Sequence, residues 1–188
     1  AVISAIPQDL KYKGEKSTVV IGDNVVIREY VTVNKGTEAA MKTVIGNNSL
    51  LMAYVHIAHD CVIGNNCVLA NNANLAGHVE VGDYTILGGS TNFQQFVKIG
   101  RHVIVSGGCL VNKDIPPFVR AARHPTTYAG VNSIGLRRRG YSTEQINKIL
   151  EVYRILYIRG FNTSTALKYI EADIESSPDK DEIVNFIR

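Results

Sequence analysis

From Thr43 onward the chain repeats itself every six residues, and this period constrains the accessible folds more than any other feature. Written in sixes it reads TVIGNN SLLMAY VHIAHD CVIGNN CVLANN ANLAGH VEVGDY TILGGS TNFQQF VKIGRH VIVSGG CLVNKD. The third place of every block is a large apolar residue, from Ile45, Leu51 and Ile57 through Leu87 and Phe93 to Val105 and Val111. The first place is always small or β-branched, as at Thr43, Ser49, Cys61, Ala73 and Cys109. Both columns are expected to point inward.

Six matches neither the helical period of about 3.6 residues nor a long strand, whose inward face would alternate without interruption. Short strands separated by corners do fit. Gly46, Gly64, Gly82 and Gly100 recur every eighteen residues, so three blocks make one turn of a three-sided coil. Glycine tolerates unusual backbone angles, and this column is read as marking a corner. Upstream, Ile21, Ile27 and Val33 keep the phase, but Gly22 lies twenty-four residues before Gly46. One extra block, about residues 34–40, is therefore expected to loop out of the wall.

The pattern stops after Ile115, Pro116 and Pro117. Ser142 to Gln145 reads as a capping box, Gly160 as a helix end, and Ser177 with Pro178 as a later helix start. The expected architecture is an all-β solenoid plus α. A parallel β-helix of hexapeptide repeats spans residues 1–115, a connecting segment 116–140 and an α-helical domain 141–188. Periodicity alone leaves the hand of the coil open.

At 188 residues, with 45% hydrophobic and 20% charged residues, the chain has the material for a real core. No run approaches the roughly 18 apolar residues of a membrane span, and the start lacks the basic and apolar regions of a signal peptide, so no stable membrane insertion is expected. Cys61, Cys67 and Cys109 fall on the inward columns, which reads as buried thiols in a reducing, cytoplasmic compartment. The net charge of +3 is mild, but Arg137, Arg138 and Arg139 are consecutive. Such a cluster is usually a solvated face, with a local anionic partner the competing reading. No nucleic-acid motif accompanies it.

Residues one coil apart stack, so the eighteen-residue period brings distant side chains together. His59, Gly77 and Gln95 form one column, and Asp60, His78 and Phe96 the next. A lone surface histidine is most often idle, but this registration of imidazoles with a carboxylate points to a site. His59 can act as a general base, with Asp60 holding its tautomer and stabilising the cation. Gly77 can bring its amide to a developing oxyanion that a Cβ would obstruct. That is equipment for acyl transfer. No Ser or Cys nucleophile stands beside His59, which favours direct transfer. The HIAH segment also admits a zinc reading like that of a γ-class carbonic anhydrase, but His102, two coils plus one block beyond Asp60, falls on another side.

HIAHDCVIGNN, NNANLAGHVEVGD and GVNSIGLRRRG, in that order, resemble the UDP-N-acetylglucosamine O-acyltransferase family, which begins lipid A biosynthesis. The similarity covers the whole chain. It implies a left-handed coil, a homotrimer with sites between subunits, further coils before Ala1, and transfer of a 3-hydroxyacyl chain from acyl carrier protein to the 3-hydroxyl of UDP-N-acetylglucosamine. No cofactor is implied beyond the carrier-protein thioester, which is the donor substrate. By motif, His59 would be the base, Asp60 its orienting partner and Gly77 the oxyanion donor. Asp9, Lys11, His56, His78 and Gln95 would line the sugar and acyl site, with Gln8 close by. Asn132, Arg138 and Arg139 would meet the nucleotide or the acidic carrier protein. Ile134 stands where the family often has Glu, Gln94 replaces a frequent His, and His124 is offset by about one residue. Gly107 matches a place that leaves room for a long chain. Three alternatives stand beside this reading: a coenzyme A-dependent acetyltransferase or the related N-acyltransferase, a zinc enzyme, and a silent assembly subunit.

Overall fold

The computed structural model describes residues 1–188 and is a parallel β-helix with helices packed on its C-terminal end. Within the repeats its three walls are parallel sheets in which neighbouring strands in space are three apart in sequence. His56–Ile57, Asn74–Leu75 and Asn92–Phe93 stack in one wall with a constant eighteen-residue register, His56 on Asn74 and Asn74 on Asn92. The coil is left-handed.

The inward columns account for the core. Across the twelve blocks no first-place or third-place residue is more than 4% exposed. Each fully buried Val, Leu, Ile or Phe contributes about 1.5–3 kcal/mol, and stacking makes one continuous core of them. The three cysteines lie within it, and burial pushes the thiols of Cys61 and Cys67 up to about 12 and about 11. They are packing groups.

The corners correct the reading of the glycine column. The left-handed backbone falls on the sixth place of every block but the last: Asn48, Tyr54, Asp60, Asn66, Asn72, His78, Tyr84, Ser90, Phe96 and His102 have φ between 55° and 67°, and Gly108 75°. The fourth-place glycines do not share it. A Cβ on Gly46 would lie 2.6 Å from the Gly64 carbonyl carbon, and one on Gly82 would lie 2.5 Å from the Arg101 nitrogen. Contact between successive coils, rather than backbone angle, keeps that column bare.

Two excursions interrupt the wall. Thr18–Ile21 pairs with Lys42–Ile45 at a register of twenty-four, and the block between Asn34 and Lys42 is looped out. Only its tip projects: Glu38, Ala39 and Ala40 are exposed, whereas Gly36 and Thr37 are buried. The second excursion was not legible in the period. Val2 pairs with Thr32, thirty residues on, because residues 6–17 leave the coil between the strands Val2–Ala5 and Thr18–Ile21.

Parallel pairing also runs past residue 115, into the expected connecting segment. Val119–Ala122 stacks on Ile104–Val105, then pairs antiparallel with Thr127–Val131. Four helices follow: α1 (Ser133–Arg138), α2 (Thr143–Tyr157), α3 (Thr163–Asp173) and α4 (Pro178–Ile187). Ser142 and Gln145 form a reciprocal capping box on α2, and Ser177 caps α4 with Pro178 in its first turn. Gly160, at φ +77°, turns the chain out of α2, and Asn162 caps α3. α2 buries Ile146, Ile149, Val152, Tyr153 and Leu156, a helical stripe on an element packed against Thr127–Val131 and the other helices. Arg101 clamps the two parts by donating to Glu182 at 2.6 Å, Asp179 at 2.9 Å and Tyr141 at 2.8 Å. No helix is long and apolar enough to cross a membrane.

Candidate active site

The excursion of residues 6–17 lies against the wall that carries the histidines, and between them is an open groove of about 760 Å³. Its lining includes Gln8, Asp9, Lys11, His56, His59, Gly77, His78 and Gln95, eight of the residues singled out in the sequence. They come from one excursion and three successive coils.

His59 is 5% exposed, and its Nδ1 lies 2.9 Å from Oδ2 of Asp60. With Nδ1–H donated to the carboxylate, Nε2 is left as the basic nitrogen, and it has no protein partner. Asp60 stands behind the histidine rather than in the groove. Its carboxylate also accepts from the Thr37 backbone N–H at 2.9 Å and from the Thr37 hydroxyl, while its own N–H donates to Thr43 Oγ1 at 2.9 Å. Burial acts to raise the Asp60 carboxyl, but the Thr37 and His59 hydrogen bonds outweigh it and hold it below the ordinary carboxylate value. The carboxylate stays ionised beside the imidazole.

Gly77 lies directly against the His59 ring. A Cβ there would be 2.5 Å from Cε1 and 2.6 Å from Nε2. Its amide takes no part in the ladder, since the next coil bonds through His78, whose N–H donates to the His59 carbonyl at 3.0 Å. The His59 and Gln95 amides, one coil to either side, also make no backbone hydrogen bond, but Gly77 alone of the three carries no side chain. His78 sits edge-on to His59 at 5.0 Å between centroids and stacks on Phe96 at 4.5 Å. His56 pairs with the Thr32 hydroxyl at 2.7 Å, and burial lowers its readiness to protonate.

His59, Asp60 and His78 place three potential ligand atoms within 4.8 Å of one another. A metal there would compete with Thr37 and His59 for a carboxylate whose two oxygens already accept three hydrogen bonds. With His59 Nδ1 spent on Asp60 and both carboxylate oxygens held by Thr37 and His59, the set suits a proton-transfer pair better than a zinc centre.

Asn132, Arg138 and Arg139 do not reach this groove within one chain. Asn132 is 6% exposed, caps α1 by accepting from Gly135 and donates to the His102 carbonyl at 2.9 Å. The Arg139 guanidinium lies 5.2 Å over the Tyr84 ring. Tyr84 and His102 occupy the corner one block beyond His78 and Phe96, so these residues belong to a different edge of the prism. His102 is enclosed there, stacked on Tyr84 at 5.0 Å and near Phe118 and Tyr141. Burial, with the Arg101 and Arg139 charges, pushes its imidazole down to about 4. A second cavity, about 430 Å³ between Val111–Pro116 and Tyr128 and Tyr157, contains none of the candidate residues.

The family model for UDP N-acetylglucosamine O-acyltransferase, domain 2, matches residues 114–188, and the bacterial transferase hexapeptide model of six repeats matches residues 42–77. The acyl-[acyl-carrier-protein]–UDP-N-acetylglucosamine O-acyltransferase of Chlorobaculum parvum is 62% identical over 190 residues, which cover 99% of this chain and 71% of the relative. This chain belongs to the UDP-N-acetylglucosamine O-acyltransferase family. The family's Janthinobacterium member is 47% identical across 100% of this chain and 72% of its own length. Among solved members, the UDP-N-acetylglucosamine acyltransferase of Bacteroides fragilis superposes with a TM-score of 0.97 at 51% identity, over 98% of this chain and 72% of that one. The Arabidopsis enzyme superposes at 0.93 with 34% identity, over 98% and 66%. The left-handed prism and the helical tail of this chain are thus those of the family.

Thr37 is the contact that sequence reasoning missed. The twenty-four-residue glycine spacing located its loop, but nothing in a period reports what a looped residue touches. Phe96, in the same column as Asp60 and His78, stacks its ring on His78 as the eighteen-residue register expects.

Proposed function

We propose that this chain transfers a 3-hydroxyacyl group from the thioester of acyl carrier protein to the 3-hydroxyl of UDP-N-acetylglucosamine, the first step of lipid A biosynthesis, in the cytoplasm. Family membership supports the reaction class. The observation that carries the chemistry is the buried Asp60–His59 pair whose free Nε2 faces an open groove beside the unscreened Gly77 amide.

In this reading His59 Nε2 takes the proton of the sugar hydroxyl as its oxygen attacks the thioester carbonyl. The resulting imidazolium is stabilised by Asp60. The tetrahedral oxyanion accepts from the Gly77 N–H. Collapse expels the carrier-protein thiolate, which recovers the proton from His59, so the base is regenerated and no cofactor enters the balance. Gln8, Asp9, Lys11, His56, His78 and Gln95 contribute the polar lining for the sugar and acyl head. A homotrimer brings a neighbour's Arg138 and Arg139 edge to the groove, where the guanidinium groups meet the nucleotide phosphates or the acidic carrier.

The test is acyl transfer from a 3-hydroxyacyl carrier protein, comparing wild type with His59→Ala, alongside sedimentation. The reading expects a trimer and a loss of roughly 100-fold or more in kcat for the variant, the range of a general base. A folded wild type that transfers no acyl chain of any length sinks the reaction, and a monomer sinks the shared site.

A further inference from the structure

We propose that Thr37 is a positioning residue that fixes the Asp60 carboxylate on His59 and away from His78. The proposal rests on the reading of His59 as the base. Two imidazoles compete for this one carboxylate. Asp60 Oδ2 lies 2.9 Å from His59 Nδ1 and 3.9 Å from His78 Nε2, and the Asp60 side chain has no solvent exposure. Both histidines face this one oxygen, so a tilt of the carboxylate toward His78 would weaken its bond to His59. Thr37 blocks that tilt by donating its backbone N–H to Oδ1 and its hydroxyl to Oδ2, one donor for each oxygen.

Thr37 can do this because its loop is pinned at the neck. Gly36 packs so closely on the returning chain that a Cβ would lie 2.2 Å from the Lys42 nitrogen. The Ser17 hydroxyl donates to the Gly36 carbonyl, Gly36 N–H donates to Thr18 at 3.3 Å, and Met41 N–H donates to the Thr37 carbonyl at 2.7 Å. Thr37 is 6% exposed, and its Oγ1 also accepts from the Ala39 N–H at 3.4 Å. The block that breaks the coil's register thus supplies the outermost member of a Thr37–Asp60–His59 relay of orientation. The arrangement parallels the outer-shell groups that orient a metal-bound imidazole.

Thr37→Val, Thr37→Ala and Thr37→Ser in the full chain test this. Each histidine is titrated through its imidazole Cε1–H resonance, and the pH–rate profile is measured. In the valine variant the His59 midpoint is expected to fall and the His78 midpoint to rise, each by roughly half a pH unit or more as the carboxylate turns. kcat is expected to fall roughly 10-fold with KM within about twofold, by analogy with other orienting groups. Serine, which keeps the hydroxyl, restores the midpoints and the rate. In an Asp60→Asn background Thr37→Val should add no further loss, because the two act as one unit.

Unchanged midpoints in the valine variant overturn the proposal. So does a rate loss of equal size in the Asp60→Asn background, which would assign Thr37 a purely structural role. Thr37→Ala, which like valine keeps the backbone N–H and loses only the hydroxyl, serves in place of valine if that variant does not fold. An inactive wild type would fail the acyl-transfer reading alone, since the titration midpoints still decide whether Thr37 governs Asp60.

Discussion

Gly77 packs against the His59 imidazole so closely that an added methyl group would lie 2.5 Å from Cε1 and 2.6 Å from Nε2. Gly77→Ala would push the ring from its place on Asp60 and screen the Gly77 amide together. Gly77 has an ordinary backbone angle, so the coil itself tolerates alanine. We expect kcat to fall by about 100-fold or more, the scale of a lost oxyanion donor, with the circular dichroism spectrum unchanged. A variant within twofold of wild type would show that the ring can move without consequence.

Asp60 links folding to pH. Its folded-state carboxyl is held below the ordinary value by Thr37 and His59, so it contributes stability that is present above the unfolded value, about 3.9, and is lost as pH falls through the folded value. Asp60→Asn lacks this term at every pH. The gap in urea midpoint between wild type and Asp60→Asn should therefore be widest near neutrality and close below about pH 3.9. A gap independent of pH would mean that the charge contributes nothing.

His102 is linked to pH in the same direction for a different reason, since burial keeps it neutral rather than charged. Its imidazole, pushed down to about 4 by burial and neighbouring arginines, stays neutral in the folded chain while the unfolded chain takes up a proton near 6.5. Stability is full above about pH 6.5 and declines between there and 4, by roughly 1–3 kcal/mol. The ring Nδ1 has no hydrogen-bond partner, and the ring lies between Tyr84 and Phe118. His102→Phe should keep the stack and remove that decline. Denaturant unfolding at pH 5 and pH 7.5 checks this, and an equal decline in both proteins would refute it.

Gly82 tests the account of the bare column. Alanine there places a Cβ 2.5 Å from the Arg101 backbone nitrogen, so the coils must part. Overpacking of this kind costs about 1–3 kcal/mol. Thermal unfolding should move down accordingly, whereas Gly89→Ala, whose Cβ would meet its nearest atom at 3.3 Å, should shift it much less. Equal shifts would return the explanation to backbone freedom.

The sequence by itself determined the prism. A third-place and a first-place column unbroken over twelve blocks leave only one way to bury both, and the eighteen-residue register follows, which is how His59 and Gly77, or Asp60 and His78, could be stacked without coordinates. This was legible because each coil repeats the same local problem and meets only its neighbours. The sixth-place left-handed corners were less legible, because Asn, Tyr, His, Ser and Phe all occupy them and no single residue type marks the angle.

Only the tertiary structure decided what lies outside the period. Thr37 reaches Asp60 across twenty-three residues from a block that has left the coil. Residues 6–17 form the groove's far wall without a repeat to announce them. Asn132 and Arg139 come to rest on the Tyr84–His102 edge because the helical end folds back on the last coils. Loops and caps are set by long-range contacts made once, and a contact made once leaves no repeating trace in the sequence.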